Sequence, residues 1–393
     1  MKVNLIAFTK QEGYDGDFDL SKALEFCAKM GGICYMKDDF STLLKEDADK
    51  TKRRLNQVLN SGHHSVFDHF KLTFEISEIP KIIAMILNNE KDYSTSEKSA
   101  RYTKFENLPG QEGRLYSKWL SILSEVILEK YPTLYKKEAK NPMLKITKLA
   151  QENARYFVSI FTPTTSMGYT VSLRQLNYLI YMIKDYIKTC DMEDEFNQRL
   201  CPFLEEFSSL FDSYIVEGLI PKGKNRKLSL FGNKEYFDVK DIFSYVYQTS
   251  FKASYACMAQ NHRHRSEHSF IYNLNDFEFY TPEIIKDDED LSKEWLSDAT
   301  LIKDSYPQGR LVKIVQTGNL DTLLLKAKER VCGAAQLEIM RHTANIVKEF
   351  EEKSEYGYIL KESTNSATAK CMYKGSTCAA PCAFGAKQYE RKI

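Results

Sequence analysis

At 393 residues the chain sets 55 Lys and Arg against 54 Asp and Glu, for a formal net charge of +1. That balance leaves no global positive field to gather nucleic acid, and 43% hydrophobic with 28% charged residues is the composition of a globular protein of two domains or one large one. No apolar run is long enough to span a bilayer and "MKVNLIAFTKQEG" has no signal-peptide pattern, so the sequence reads as cytoplasmic, with no membrane partner.

In chain order, "DLSKALEFCAKMGG" (19–32) spaces apolar residues as a helix and stops at Gly-Gly, and "DADKTKRRLNQVLNSG" (47–62) does the same, ending at Gly62. "FKLTFEI" (70–76) alternates and is rich in aromatic and β-branched residues, which predicts a strand. "IPKIIAMILNNE" (79–90) predicts a helix opened by proline. Long helices follow at 113–131, 144–159, 172–190 and 202–216. "PKGKNRKLSLFGNK" (221–234) is basic and rich in turn residues, and marks a boundary. After it "IFSYVYQTSF" (242–251) reads as a strand and "ASYACMAQNH" (253–262) as a helix. "IIKDDEDLSKEW" (284–295) reads as a solvated loop and helix start, and 319–353 as long helical text interrupted near Cys332-Gly333. "GHHSVFDH" (62–69) and "GNKEYFDV" (232–239) share a glycine and a Phe-Asp pair, each before a strand-like segment, which suggests an internal repeat.

Six of the nine cysteines lie scattered in apolar or helical text and read as buried thiols. The other three, Cys371, Cys378 and Cys382, sit among Gly375, Pro381 and Gly385. They fit either a zinc or iron–sulfur site completed by a fourth ligand or a flexible tail of reduced thiols, the absence of a C-x-x-C pair favouring the latter.

Six of seven histidines fall into two runs: His63, His64 and His69 in "GHHSVFDH", and His262, His264 and His268 in "QNHRHRSEHSFIY". Three chemistries fit such runs. A metal would use the H-x-H spacing, but Val66 stands where dinuclear hydrolases place a histidine, and Arg263 and Arg265 would repel a dication, so no metal ligand is assigned. A structural role in capping or surface hydrogen bonding is the second. An anion cradle is the third: alternating Arg and His offer planar, multi-donor groups to phosphates and electron-rich rings, as nucleotides and reduced flavins require.

Several of these segments together resemble the flavin-dependent thymidylate synthase family. Its members carry G-H-x-S-x-F-E-H before a strand, then R-H-R-x-x-S-x-N-E-x-S-x-R-Y, and later an arginine followed by A-Q-x-E-I. Here "GHHSVFDH" resembles the first with Asp68 for Glu, "STSEKSARYT" (94–103) the end of the second, and "ERVCGAAQLEI" (329–339) the last. The departures are specific. Asn89-Glu90-Lys91 stands where the first half should read R-H-R, and the R-H-R appears instead at 263–265. The late arginine falls on Ile183 in the first half and on Arg330 in the second.

The resemblance implies an α+β fold of two similar halves, each a twisted sheet flanked by long helices: 1–215, a linker at 216–232, 233–370, and a Cys-containing tail at 371–393. It implies transfer of a one-carbon unit from methylenetetrahydrofolate to C5 of dUMP through FAD, giving dTMP, with NADPH as reductant. A related flavoenzyme acting on another pyrimidine nucleotide, for example by hydroxymethylation, and a non-catalytic nucleotide-binding relative are the alternatives. Carried over, Arg263, His264, Arg265 and His69 would hold flavin; Glu97, Ser99, Arg101 and Arg155 would hold the nucleotide; Arg330 would stabilise charge on the uracil ring. Because R-H-R and S-x-R-Y each occur once, in opposite halves, the resemblance implies one composite site and one flavin per chain. The family's tetramer of short chains implies a homodimer here.

Overall fold

The computed structural model describes residues 1–11, 13–35, 40–132, 134, 142–221, 228–232, 240–262, 264, 266–365, 369–373, 382, 384 and 387–393. The second copy of the suggested repeat, 232–239, lies outside the described residues from 233 onward, as do Arg263, Arg265 and Cys378. Helices and two four-stranded sheets with only antiparallel pairings make this an α+β protein.

One compact unit comprises residues 1–98 and 163–228. Its sheet runs β1 (Lys2–Phe8), β2 (Lys71–Pro80), β4 (Pro163–Ser172), β3 (Tyr93–Glu97) in spatial order. Period-two patterning sets the central pair: Leu72, Phe74 and Ile76 are buried and register with Val171, Tyr169 and Met167, which are buried too. The helix at Leu20–Gly32 starts where Asp19 accepts from the amides of Ser21 and Lys22. Its neighbour, Ala48–Ser61, stops at Gly62, which takes φ 78° as a left-handed cap. The helix Leu173–Thr189 leaves β4 directly, with Ser172 as N-cap. The segment expected to begin at Pro202 instead runs Glu195–Ser209 and carries Pro202 inside. Asp194 caps it upstream of the proline, and Phe196, Leu200, Leu204 and Phe207 bury one face, which outweighs one missing ladder bond.

The other unit comprises residues 99–162 and 229–393. Its grouping differs from the contiguous boundaries expected above, because 99–162 packs with the later part of the chain. The reason is apolar: Trp119 and Phe157 join Trp295, with ring centroids 4.7 Å and 4.5 Å from the latter, in a core that includes Ile284 and Ile285. The acidic stretch 284–295, expected as a solvated loop and helix start, instead forms helices Glu283–Lys286 and Glu289–Thr300, which bury Ile284, Ile285, Trp295 and Ala299 and leave Leu296 exposed. The sheet runs β5 (Ile242–Phe243), β6 (Val246–Ser254), β8 (Leu311–Asn319), β7 (His268–Asn273). "IFSYVYQTSF" is thus a tight hairpin, pairing Phe243 with Tyr247, rather than one strand. The helix Leu320–Arg330 leaves β8 with Asn319 as N-cap, and the next runs Leu337–Lys353. Among the described residues no helix is long and apolar enough to cross a membrane.

Candidate functional site

In the first unit His64, one of the three histidines of its run, does structural work. His64 is buried between helices; its Nε2 donates to the Leu59 carbonyl at 3.0 Å, leaving Nδ1 to accept from the Tyr178 hydroxyl at 2.7 Å. Asp68, at the family's Glu position, accepts from Ser172 Oγ at 2.7 Å and forms a two-point ion pair with Arg174. His69 closes the short 3-10 turn before β2 and is exposed. Glu97 ends β3, and its carboxylate is satisfied by Lys81, Asn88 and Thr165. His69 and Glu97 thus belong to the first unit, and the other carried-over residues, where they are described, to the second.

In that second unit a polar chain runs through a buried interior. The helix Pro142–Ala154 tightens into a 3-10 turn at Arg155–Phe157, which turns Arg155 inward; the residue is 4% exposed. Arg155 and Gln260 both donate to Oε1 of Gln336. The Gln336 amide donates onward to the Tyr156 hydroxyl at 2.6 Å, and Tyr156 donates to Glu338 Oε2 at 2.8 Å. Glu338 also accepts from the Ser254 amide at 2.8 Å and Oγ at 2.6 Å, so each link has a fixed direction. Burial raises the Glu338 carboxyl against these donors, and burial beside Glu338 pushes the Tyr156 phenol well above its ordinary range. Burial lowers Arg155, with Glu152 pulling the other way. The Arg155 Nε has no hydrogen-bond partner among the described residues.

Arg101 stands beside this chain. Its Nε lies 2.6 Å from Glu152 and its Nη2 donates to the Ala334 carbonyl at 2.7 Å. The Ser99 carbonyl accepts the Tyr102 and Thr103 amides, holding the turn that presents Arg101. Glu152 also acts electrostatically on Arg155 and Arg391, and Glu338 acts on Arg155, so three guanidiniums stand among two carboxylates. The surplus positive charge suits an anion.

His264, buried after the helix Tyr255–Asn261, accepts from Arg330 Nε at 2.8 Å on its Nε2. A second buried network lies beneath this segment. Lys326 Nζ contacts Glu267 at 3.1 Å and Gln316 at 2.6 Å, while Tyr247 donates to Glu267 at 2.6 Å and Asn261 to Gln316 at 2.8 Å; Lys326 and Glu267 have 1% exposed side chains. Sequence reasoning missed this pair, and it missed Glu152, Tyr156 and Gln260. Gln336 and Glu338 were visible as motif letters, without their roles. Among the described residues no three His, Cys, Asp or Glu side chains cluster as a metal site, and Cys371 is exposed.

The fold and site define an α+β protein with a buried, cation-rich polar centre. Residues 19–185 match the Thy1 family, described as thymidylate synthase complementing protein. A flavin-dependent thymidylate synthase of Pseudothermotoga lettingae is 27% identical over 215 residues, spanning 93% of that protein and 49% of this chain. The resemblance to the flavin-dependent thymidylate synthase family is thereby borne out. Among solved structures, the UMP/dUMP methylase PolB of Streptomyces cacaoi, bound with 5-Br dUMP, is 17% identical with a TM-score of 0.33, over 55% of this chain and 91% of its own. The flavin-dependent thymidylate synthase of Helicobacter pylori, complexed with FAD and dUMP, is 18% identical with a TM-score of 0.30, over 55% of this chain and all of its own.

Proposed function

We propose that the chain is a flavin-dependent thymidylate synthase acting on dUMP, with methylenetetrahydrofolate as one-carbon donor and NADPH as reductant. The observation that carries this reading is the incompletely satisfied, buried Arg155, one of three guanidiniums among the two carboxylates Glu152 and Glu338. A buried cluster of cations of that kind suits a nucleotide phosphate, and Arg101 and Arg155 are the residues that the family motif assigns to the nucleotide. Ser99, Arg101 and Arg155 bind and orient the nucleotide. Arg330, held by His264, stabilises negative charge developing on the pyrimidine ring. Arg263, His264 and Arg265 hold the flavin; His69 and Glu97 are assigned from the family motif alone. FAD, when bound, would supply the redox and one-carbon chemistry, so the chain itself needs no protein nucleophile.

The chain is further proposed to be a fused duplication. Each sheet has the same spatial order, in which a β–helix–β unit and a returning strand follow an edge strand, and the returning strand leads straight into a capped helix. The late arginine's register falls on Arg330 in one helix and on buried Ile183 in the other, which supports one site and one flavin per chain. The fusion also favours a homodimer.

The test is the absorbance spectrum of the purified protein, followed by product analysis with dUMP and with dCMP in the presence of methylenetetrahydrofolate and NADPH. A flavin spectrum near one per chain and dTMP from dUMP are expected. Colourless protein that takes up no FAD would overturn the enzyme reading; turnover of dCMP alone would overturn the substrate.

A further inference from the structure

The turn between Arg330 and Gln336 is held from outside the motif. Three consecutive carbonyls each accept from an arginine: Gly333 from Arg391 Nη1 at 2.9 Å, Ala334 from Arg101 Nη2 at 2.7 Å, and Ala335 from Arg391 Nη2 at 2.5 Å. Arg391 is 2% exposed, so these carbonyls have replaced water as its hydrogen-bond partners. Its own segment is fastened in turn. Arg341, paired with Glu283 through two contacts of 3.0 Å and 2.9 Å, also donates to the Tyr389 and Arg391 carbonyls, and the Lys392 amide donates to the Tyr131 hydroxyl at 2.8 Å. Ile393 joins the core around Trp119. A Cβ on Gly333 would meet the Cys382 sulfur at 2.6 Å, so the residues flanking this segment also close onto the turn.

We propose that Arg391 is a positioning residue for the active site: its guanidinium forks across the Gly333 and Ala335 carbonyls and fixes the turn, setting Arg330 on one side and Gln336 on the other. The inference rests on the proposed function, since Arg330 and Gln336 matter to catalysis only if that reading holds. Physically, the turn has few alternatives. Gly333 and Ala335 are buried, so their carbonyls need donors there, and a single planar fork satisfies both at once. Losing the fork frees the backbone between two residues that must keep fixed places, and a shift of about 1 Å in such groups costs on the order of a hundredfold in rate.

The variants are Arg391→Met, which keeps the stem and removes the fork, and Arg391→Lys, which keeps the charge but cannot span both carbonyls. Two readouts separate this inference from the functional reading. The first, hydrogen exchange at amides 331–336 compared with the strands β6 and β8, needs no ligand. Both variants are expected to exchange about tenfold faster at the turn, with the strands unchanged. The second is binding of dUMP to the flavin-loaded protein by titration. Both variants are expected to bind about tenfold more weakly, with flavin content unchanged. Unaltered exchange at the turn in both variants overturns the clamp, as does full recovery of dUMP binding by Arg391→Lys, which would make the role one of charge alone. Wild-type protein that binds no dUMP overturns the proposed function, and the exchange experiment still decides the clamp. If Arg391→Met does not fold, Arg391→Lys carries both measurements.

Discussion

Replacing Arg155 with methionine should leave the ligand-free protein as stable as before, or more so, while removing its affinity for nucleotide. In the ligand-free state Arg155 is a buried cation with an unpartnered Nε, and burial lowers its pKa. Its removal strands nothing: Glu152 keeps Arg101 at 2.6 Å, and Gln336 Oε1 keeps the Gln260 donor. The desolvation of the guanidinium is then relieved at the expense of one hydrogen bond, and methionine fills most of the stem's volume. Exchanges of buried charge for apolar side chains are often neutral or stabilising by about 1–4 kcal/mol, so a change between zero and a gain of about 2 kcal/mol is expected. For a unit of this size that is a rise in Tm of about 2–4 °C per kcal/mol. A lost charge-assisted contact to phosphate, about 1.5–3 kcal/mol, weakens dUMP binding by roughly 10- to 150-fold. Thermal unfolding without ligand and isothermal titration of dUMP measure the two effects. A loss above about 2 kcal/mol in the ligand-free protein, with dUMP affinity unchanged, would show that Arg155 is a structural ion and refute the reasoning.

The Lys326–Glu267 pair should behave in the opposite sense. Lys326→Met leaves the Glu267 carboxylate buried with only neutral donors and should cost about 3–5 kcal/mol in urea denaturation, while Lys326→Met with Glu267→Gln should recover most of it; a single variant that costs less than about 1 kcal/mol sinks this reading. His342, stacked on Phe251, has its pKa lowered from 6.5 to about 4 by burial and by Lys326. Between those values the unfolded chain binds the proton and the folded one does not, so its contribution is complete above pH 6.5 and is lost as pH falls toward 4. Allowing for its partial exposure, about 1–2 kcal/mol should disappear across that window. His342→Phe, which keeps the stacking, should flatten the pH dependence; equal slopes in the two proteins would exclude His342 as the source.

Capped amphipathic helices were the most legible part of the sequence, because Asp19 and Gly62 state where a helix begins and ends in local chemistry. The strands β4 and β8 were not read. In "PTTSMGYTVS" the alternation of Thr165, Met167, Tyr169 and Val171 is present, but Pro163 and Gly168 argue locally against a strand, and pairing with β2 on one side and β3 on the other overrides them. Arg155 and Arg101 were legible through motif order. Their neighbourhood was not, since Glu152 and Gln336 are far apart in sequence and their roles come from packing. Lys326 is the plainest case. In "LLLKAKER" it looks like a solvated lysine, and only the presence of Glu267 and Gln316 across the sheet explains a charge with a 1% exposed side chain.

The proposed duplication makes a last prediction, about the position in the first unit that corresponds to Arg330. Ile183 stands in the same register from N-cap Ser172 as Arg330 from N-cap Asn319, yet its surroundings differ. Arg330 is half-buried and meets a ring nitrogen of His264, an acceptor placed to hold it. Ile183 is fully buried on a helix face that also buries Leu176, Leu179 and Ile180. Restoring the arginine there would therefore not restore a site. Ile183→Arg would place a guanidinium in an apolar core, at a cost above about 4 kcal/mol, and should appear as loss of the folded first unit in thermal unfolding. Ile183→Leu, similar in volume, should cost less than about 1.5 kcal/mol and serves as the control for packing. If Ile183→Arg instead folds with near wild-type stability and binds a second flavin per chain, the first unit has kept a latent site, and the single composite site is wrong.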